Sequence, residues 1–266
     1  MINYEQLDCK ALYHILTETL FKNEIPSASD DFECFDAIER RKAGKTFSFS
    51  EHFKGAIFAM LGSQRTWAGI KANSDKICEI FFQFDKHIFE YTTTNELLFK
   101  IKEIKCGNKN IRRQIEGIPE MLDTFVAIEK EFGTLDNFIL HDTPIAVATL
   151  LIETKKYKLK GLGSSLVFDY LRNIGIDIAK PDTHLMRLFG SERLGVSTSI
   201  NATQFEVLEI IESIAKANNV SPALIGTMFW SLCAKGYGNL CGANPKCKLC
   251  GFDATYCLYN REREMK

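Results

Sequence analysis

The sequence predicts an all-α protein of about ten helices, and three observations carry that expectation. Apolar residues recur at three- and four-residue spacing through most of the chain, as helices with one buried face require. Segments of this kind open on Ser, Thr or Pro and close on Gly, residues that favour helix starts and stops. No run alternates apolar and polar residues with the period of two that a half-buried strand needs.

Taken in order, Ser50 is expected to cap a helix through EHFKGAIFAML, and Thr94 one through NELLFKIKEI. Pro119 opens PEMLDTFVAIEKEF, which stops at Gly133. Thr143 and Pro144 stand at the cap and first turn of TPIAVATLLIET, and LVFDYLRNIG closes on Gly175. In TQFEVLEIIESIAKANN, Phe205, Leu208, Ile211 and Ala215 line one face that is expected to be buried. Pro222 opens PALIGTMFWSLCAKG, and no repeat, low-complexity tract or long linker interrupts the pattern.

A chain of 266 residues is long enough for one large or two small domains with a sizeable core. Hydrophobic residues at 45% and charged residues at 25% are the balance of a soluble globular protein. No apolar run nears the ~20 residues of a membrane helix, and MINYEQLDCKALYHIL lacks the basic start and apolar core of a signal peptide. A cytoplasmic protein with no membrane partner is expected. The formal net charge is −1, so a polyanion would have to be met by a local cationic face, not by bulk charge.

Of nine cysteines, Cys9, Cys34, Cys78, Cys106 and Cys233 are scattered and read as small buried hydrophobes. The other four crowd into CGANPKCKLCGFDATYC as Cys241-x5-Cys247-x2-Cys250-x6-Cys257. In a cytoplasmic chain such crowding points to a metal centre, not to disulfides. One C-x2-C with single cysteines on either side, all in one loop, suits an iron–sulfur cubane, and the spacing leaves zinc open. Lys246 and Lys248 lie among these ligands, either as a solvated face or within reach of phosphate.

Two further features carry chemistry. In KLKGLGSSLVFDYL, Gly161 and Gly163 allow a tight turn and close backbone approach, and a helix starting just after it turns free N–H groups toward an anion. Lys158 and Lys160 add charge there; alone, such a turn is more often an ordinary helix connection. Asp182, ahead of THLMRLF, is a good helix N-cap. An N-cap aspartate accepts N–H donors, which favours its charged form, and a carboxylate beside a cationic sugar suits glycosidic cleavage.

In this order the hairpin, the aspartate and the cysteine loop resemble the helix-hairpin-helix DNA glycosylase superfamily, especially its endonuclease III branch. LKGLGSSLV is similar to the family hairpin L-P-G-V-G-x-K-T-A, and KPDTHLMRLF to the segment V-D-T-H-x-x-R that carries the catalytic aspartate. FWSLCAKGYGNLCGANPKCKLCGFDATYC resembles the helix and loop of a [4Fe–4S] cluster, and AIFAMLGSQRTW the helix ending in S-x-Q-x-T. The resemblance spans about residues 50 to 257. It implies two all-α lobes. Residues 46–175 would form a six-helix barrel with the hairpin at about 152–175, and 176–266 the C-terminal helices and cluster loop. Residues 1–45 would pack with that second lobe. It also implies that Asp182 is catalytic and that Cys241, Cys247, Cys250 and Cys257 hold the cluster. Lys160, Gly161, Gly163, Ser164, Ser165, Lys246 and Lys248 would contact DNA, while Gln64 fills the gap left by a flipped base. Three departures stand out: the outer cysteine gaps are five and six instead of six and five, Lys160 replaces a proline, and Ser165 replaces the Schiff-base lysine of the lyase members.

The resemblance therefore implies a monofunctional DNA N-glycosylase of base excision repair, a monomer acting on duplex DNA with a damaged or mismatched base. The alternatives are a bifunctional glycosylase/lyase that recruits Lys160 or Lys180, and a non-catalytic DNA-binding or redox-sensing protein on the same scaffold. Met60 stands near the place where adenine-releasing relatives carry a carboxylate, and FAMLGSQ has none, which disfavours adenine opposite oxidised guanine as the target. Trp67 is a candidate to stack a flipped base and equally a packing residue.

Overall fold

Fifteen α-helices are present among the described residues, 1–26 and 33–264 of the computed structural model, and no strand. They are α1 (Cys9–Lys22), α2 (Cys34–Lys42), α3 (Phe49–Leu61), α4 (Trp67–Lys71), α5 (Ser74–Ile80), α6 (Thr94–Glu103), α7 (Ile111–Glu116) and α8 (Ile118–Phe132). There follow α9 (Leu135–Ile139), α10 (Pro144–Glu153), α11 (Ser164–Asn173), α12 (Thr183–Phe189), α13 (Gln204–Asn218), α14 (Pro222–Cys233) and α15 (Leu258–Glu264). The surplus over ten consists of short helices such as α4, α5 and α7, too brief to show a period and without side-chain cap bonds.

Several boundaries move for a common reason. Ser48, not Ser50, caps α3, because Glu51 stands three residues on and returns the bond to the Ser48 N–H in a capping box. Thr93, not Thr94, caps α6 by the same device with Glu96, and Thr203 with Glu206 repeats it at α13. Thr143 and Ser221 cap α10 and α14 ahead of their prolines, and Gly133 (φ 82°) follows α8. Phe205 is half exposed, whereas Leu208, Ile211 and Ala215 are buried. A side chain in the first turn leans past the helix start, and there Phe205 has no turn beneath it.

The chain divides into two compact units, Met1–Phe35 with Asp177–Lys266, and Asp36–Ile176. The first cut falls ten residues ahead of the boundary expected at 45, because α2 is held by the second unit. Arg41 donates to the Ile174 carbonyl at 2.6 and 2.9 Å and pairs with Asp136 at 2.7 Å. Within the 36–176 unit, α11 packs along α3, where Gly55 leaves room for Ile174 and its carbonyl accepts from Asn173 at 3.0 Å. Within the other unit, α1 packs on α13 and α14, and α12 on α13 and α14. No helix among the described residues is long and apolar enough to cross a membrane.

Candidate active site

The hairpin joins α10 to α11, and its two glycines have different reasons to be there. Gly161 has φ 87°, and a Cβ on it would lie 3.0 Å from the Gln114 carbonyl. Both facts require glycine. Gly163 is extended at φ −78°, ψ 171°, a conformation any residue adopts, and a Cβ there would meet nothing within 4 Å. The fold itself does not call for glycine at 163. Gly163 is the N-cap of α11 and has no side chain to form a cap bond, and half-buried Ser164 and Ser165 open the first turn. Lys160 is exposed, with its Nζ 3.3 Å from the Glu120 carboxylate. An exposed pair of this kind contributes little and can exchange for another anion.

Gln64 belongs to the same unit. It follows the Gly62 C-cap of α3, is exposed, and sits in the left-handed region at φ 57°, uncommon for a residue with a side chain. Its neighbour Arg65 donates Nε–H to the Gly107 carbonyl at 2.7 Å and adds a second bond from Nη2. Trp67 is half buried and packs edge-on against Phe58 with ring centres 6.4 Å apart.

Asp182 belongs to the other unit, and the segment before it is clamped to the start of α14. Ser221 Oγ donates to Asp177 at 2.6 Å, and the Ala223 N–H does so at 3.1 Å. Gly226 of α14 leaves room for Ala179, which an added Cβ would approach to 2.9 Å. Pro181 is buried, and the chain then turns into α12 with Asp182 half buried as its N-cap. Asp182 Oδ1 accepts from the N–H groups of His184 at 2.9 Å and Leu185 at 3.2 Å. The cap role is thus present, and Oδ2 takes no part in it.

Residues that the sequence did not single out surround this cap. His184 is half buried with its ring edge-on to Trp230. Burial, opposed by the Asp182 charge and helped by Arg187 and Lys180, lowers its pKa. Arg187 contacts His184 Nδ1 at 3.3 Å and donates to the Cys241 carbonyl at 2.9 Å, tying α12 to the first residue of the cysteine loop.

That loop runs from Cys241 to Cys257 with one short 3₁₀ turn, Cys247–Leu249. It is anchored to α1, where Asn23 donates to the Leu249 carbonyl at 2.9 Å and Thr19 Oγ1 accepts from the Gly251 N–H at 3.1 Å. Cys241 and Cys257 are buried, Cys247 and Cys250 half buried, and Lys246 and Lys248 exposed. A hydrogen bond from Cys233, working against burial and helped by Arg193 and Arg187, brings Cys241 down to about 7. Burial pushes Cys250 up to about 12, and the charges of Cys241, Cys257 and Cys247 add to the rise. Burial also raises Cys257, again with Cys241 and Cys247 contributing. Among the described residues no three His, Cys, Asp or Glu side chains are arranged to hold one metal ion. A cubane makes a different demand from a single ion, since each of its four thiolates binds a separate iron. Of the scattered cysteines, Cys34, Cys106 and Cys233 are buried, while Cys9 and Cys78 are half buried.

No protein-family model and no curated protein matches the sequence. Solved structures do match the fold. A Methanocaldococcus jannaschii 8-oxoguanine glycosylase/lyase, in complex with DNA containing 8-oxoguanine, aligns with a TM-score of 0.52 at 19% identity, covering 80% of this chain and 96% of that one. The 8-oxoguanine DNA glycosylase of Thermotoga maritima aligns with a TM-score of 0.55, also at 19% identity, covering 83% and 96%. The chain shares its all-helical fold with these 8-oxoguanine glycosylases. In this chain the G-L-G turn lies in the connection between α10 and α11.

Proposed function

We propose that the protein is a DNA N-glycosylase of base excision repair that hydrolyses the bond between a damaged base and its sugar and leaves the strand intact. The likeness to 8-oxoguanine glycosylase folds over four-fifths of the chain carries this reading, with Asp182 on a half-buried cap as its chemical counterpart. Duplex DNA with a damaged base is the proposed partner, and 8-oxoguanine the first base to test. The hairpin turn grips a phosphate with backbone N–H groups, a contact indifferent to sequence. Gly163, which the fold does not require, suits a position where a ligand comes close.

In this reading the target nucleotide leaves the stack, because its glycosidic bond is out of reach inside a duplex. The C1′–N bond breaks as the base departs, and the sugar takes up positive charge. Asp182 stabilises that charge with its carboxylate and orients or deprotonates the water that adds to C1′. Gln64 fills the gap, and its strained, exposed turn supports such a role. Lyase chemistry would need an amine to form an imine with C1′, and the hydroxyl of Ser165 cannot supply it. Cys241, Cys247, Cys250 and Cys257 would hold a [4Fe–4S] cluster whose contribution is to fix the loop that carries Lys246 and Lys248.

A base-release assay on duplexes with 8-oxoguanine and a panel of other damaged and mismatched bases tests the reading. Release is expected without strand cleavage until hot alkali is added, and borohydride is expected to trap no protein–DNA adduct. Asp182→Asn keeps the size and much of the cap and should lower release by about 10²–10⁴-fold while binding to damaged duplex survives. Equal activity of that variant would leave Asp182 as a helix cap alone. Efficient borohydride trapping of the unaltered protein would move the reading to a glycosylase/lyase, with Lys160 and Lys180 the first lysines to replace.

A further inference from the structure

Three segments of the 36–176 unit converge on one buried amide. Asn108, in the loop between α6 and α7, is 8% exposed, and Gln114 on α7 is 5% exposed. The Asn110 N–H donates to Asn108 Oδ1 at 2.8 Å. A backbone N–H only donates, so Oδ1 is fixed as the acceptor and Nδ2 as the donor. Nδ2 then donates twice, to the Met60 carbonyl and to Gln114 Oε1, each at 3.0 Å.

Each partner leads to a part of the candidate interface. Met60 lies in the last turn of α3, four residues ahead of Gln64 and its left-handed backbone. The same loop holds that turn a second time, through the Gly107 carbonyl and Arg65. Gln114 supports the hairpin. Its carbonyl and Cα lie 3.0 and 3.4 Å from where a Gly161 side chain would start, with Met60 Cε also at 3.4 Å. Gly117, at the end of α7, leaves space for Lys160, whose Cγ an added Cβ would approach to 2.9 Å. The last turn of α3, which leads to Gln64, and the hairpin turn are thus both tied to the Asn108–Gln114 pair, the one through the Met60 carbonyl and the other through the Gln114 backbone.

We propose that Asn108, through Gln114 and the Met60 carbonyl, is a positioning residue that fixes the Gln64 turn relative to the hairpin turn. It holds the gap-filling side chain and the phosphate grip in one register on a duplex. The inference rests on the glycosylase reading above. A buried amide with all its bonds made is rigid, and replacing it leaves its buried partners unsatisfied. Asn108 touches no substrate in this scheme, and its effect passes through Gln64.

A double-variant cycle tests it. Asn108→Asp keeps the shape and the bond from Asn110 but sets an anionic acceptor against two acceptors. Gln114→Met removes the second acceptor with little change of volume and serves if the buried charge prevents folding. Each is made in the natural background and with Gln64→Ala, and single-turnover base release from damaged duplex is measured per folded molecule. The expected result is a loss of about ten- to a hundredfold in the natural background that shrinks below about twofold beside Gln64→Ala, the non-additivity of residues acting in one unit. An equal loss in both backgrounds would reduce Asn108 to a stability residue, and no loss in the natural background would also overturn the inference. A natural protein that binds and opens no damaged duplex would overturn the glycosylase reading itself, and this inference with it.

Discussion

At the scale of single residues, the two hairpin glycines separate the demands of folding from those of a ligand. Gly161 is required by its own backbone, since φ 87° and the Gln114 carbonyl leave no place for a side chain. Gly163 is not, and serine is a better N-cap than glycine for the helix that follows. Gly161→Ala should therefore destabilise the protein by about 1 kcal/mol or more. Gly163→Ser should hold or raise the melting temperature and still weaken binding to duplex DNA. Thermal melts with binding isotherms check both, and undiminished duplex binding by Gly163→Ser would remove the hairpin from the interface. The sequence displays both glycines but not the distinction between them, because φ and the nearness of Gln114 arise only on folding.

At the scale of helices, the least legible feature is a buried ionic network that joins four of them. Asp136 of α9 is 2% exposed and accepts from Arg41 at 2.7 and 3.3 Å, from the Phe47 N–H at 3.1 Å and from His52 Nε2 at 3.2 Å. His52 Nδ1 meets the Tyr170 hydroxyl at 2.7 Å. A neutral ring serves both partners, donating from Nε2 and accepting at Nδ1. Burial, opposed by Asp136, lowers the His52 pKa and favours that form. Burial alone would raise Asp136, but the bonds from His52, Arg41 and Phe47 overcome it and hold the carboxyl well below the ordinary range. A depressed folded pKa contributes stability that is present above the unfolded pKa and is lost as pH falls through the folded one. Acid unfolding is thus expected to set in below about pH 4. Asp136→Asn should cost about 3–5 kcal/mol at neutral pH, leaving Arg41 buried without its counter-charge, and should flatten the acid limb. An unchanged acid limb in the variant would assign that limb to other carboxylates. Caps and apolar faces were legible because each is a local pattern. Asp136 and His52 were not, because their partners stand far away in the chain and no motif marks them; Phe205 misled because periodicity cannot tell a first turn from a covered one.

At the scale of the whole molecule, a formal net charge of −1 sets the problem of binding a polyanion. In the proposed reading the cationic groups that meet it must be few, local and held in place. Lys246 and Lys248 are exposed on a loop whose only regular structure is one 3₁₀ turn. Loops of this length without structure of their own usually need a staple or a function, and the proposed cluster on the four cysteines would be the staple. Protein prepared without air is expected to be brown and to contain iron and acid-labile sulfide; stoichiometric zinc without sulfide would replace the cluster with the other metal the spacing admits. The cysteine spacing could be read because it is a property of the chain, and the iron and sulfide content decides what it holds; that Arg187, Arg193 and Cys233 gather around Cys241 could not be read, since they come from α12, the turn after it and the end of α14.

The same loop gives the test of whether this molecule meets DNA as proposed. Every phosphate that a variant no longer neutralises should lower the salt slope of log K by about 0.9. Replacing both Lys246 and Lys248 with alanine should thus lower it by up to about 1.8 and weaken binding to all sequences alike. Iron content must stay at the natural level in the double variant, because removal of the cluster would displace the loop and mimic the effect. With iron retained and the slope unchanged, the two lysines would be a solvated face, and the hairpin turn alone would hold the backbone. With the slope reduced, an acidic protein would be shown to bind duplex through cations that its cysteine loop presents.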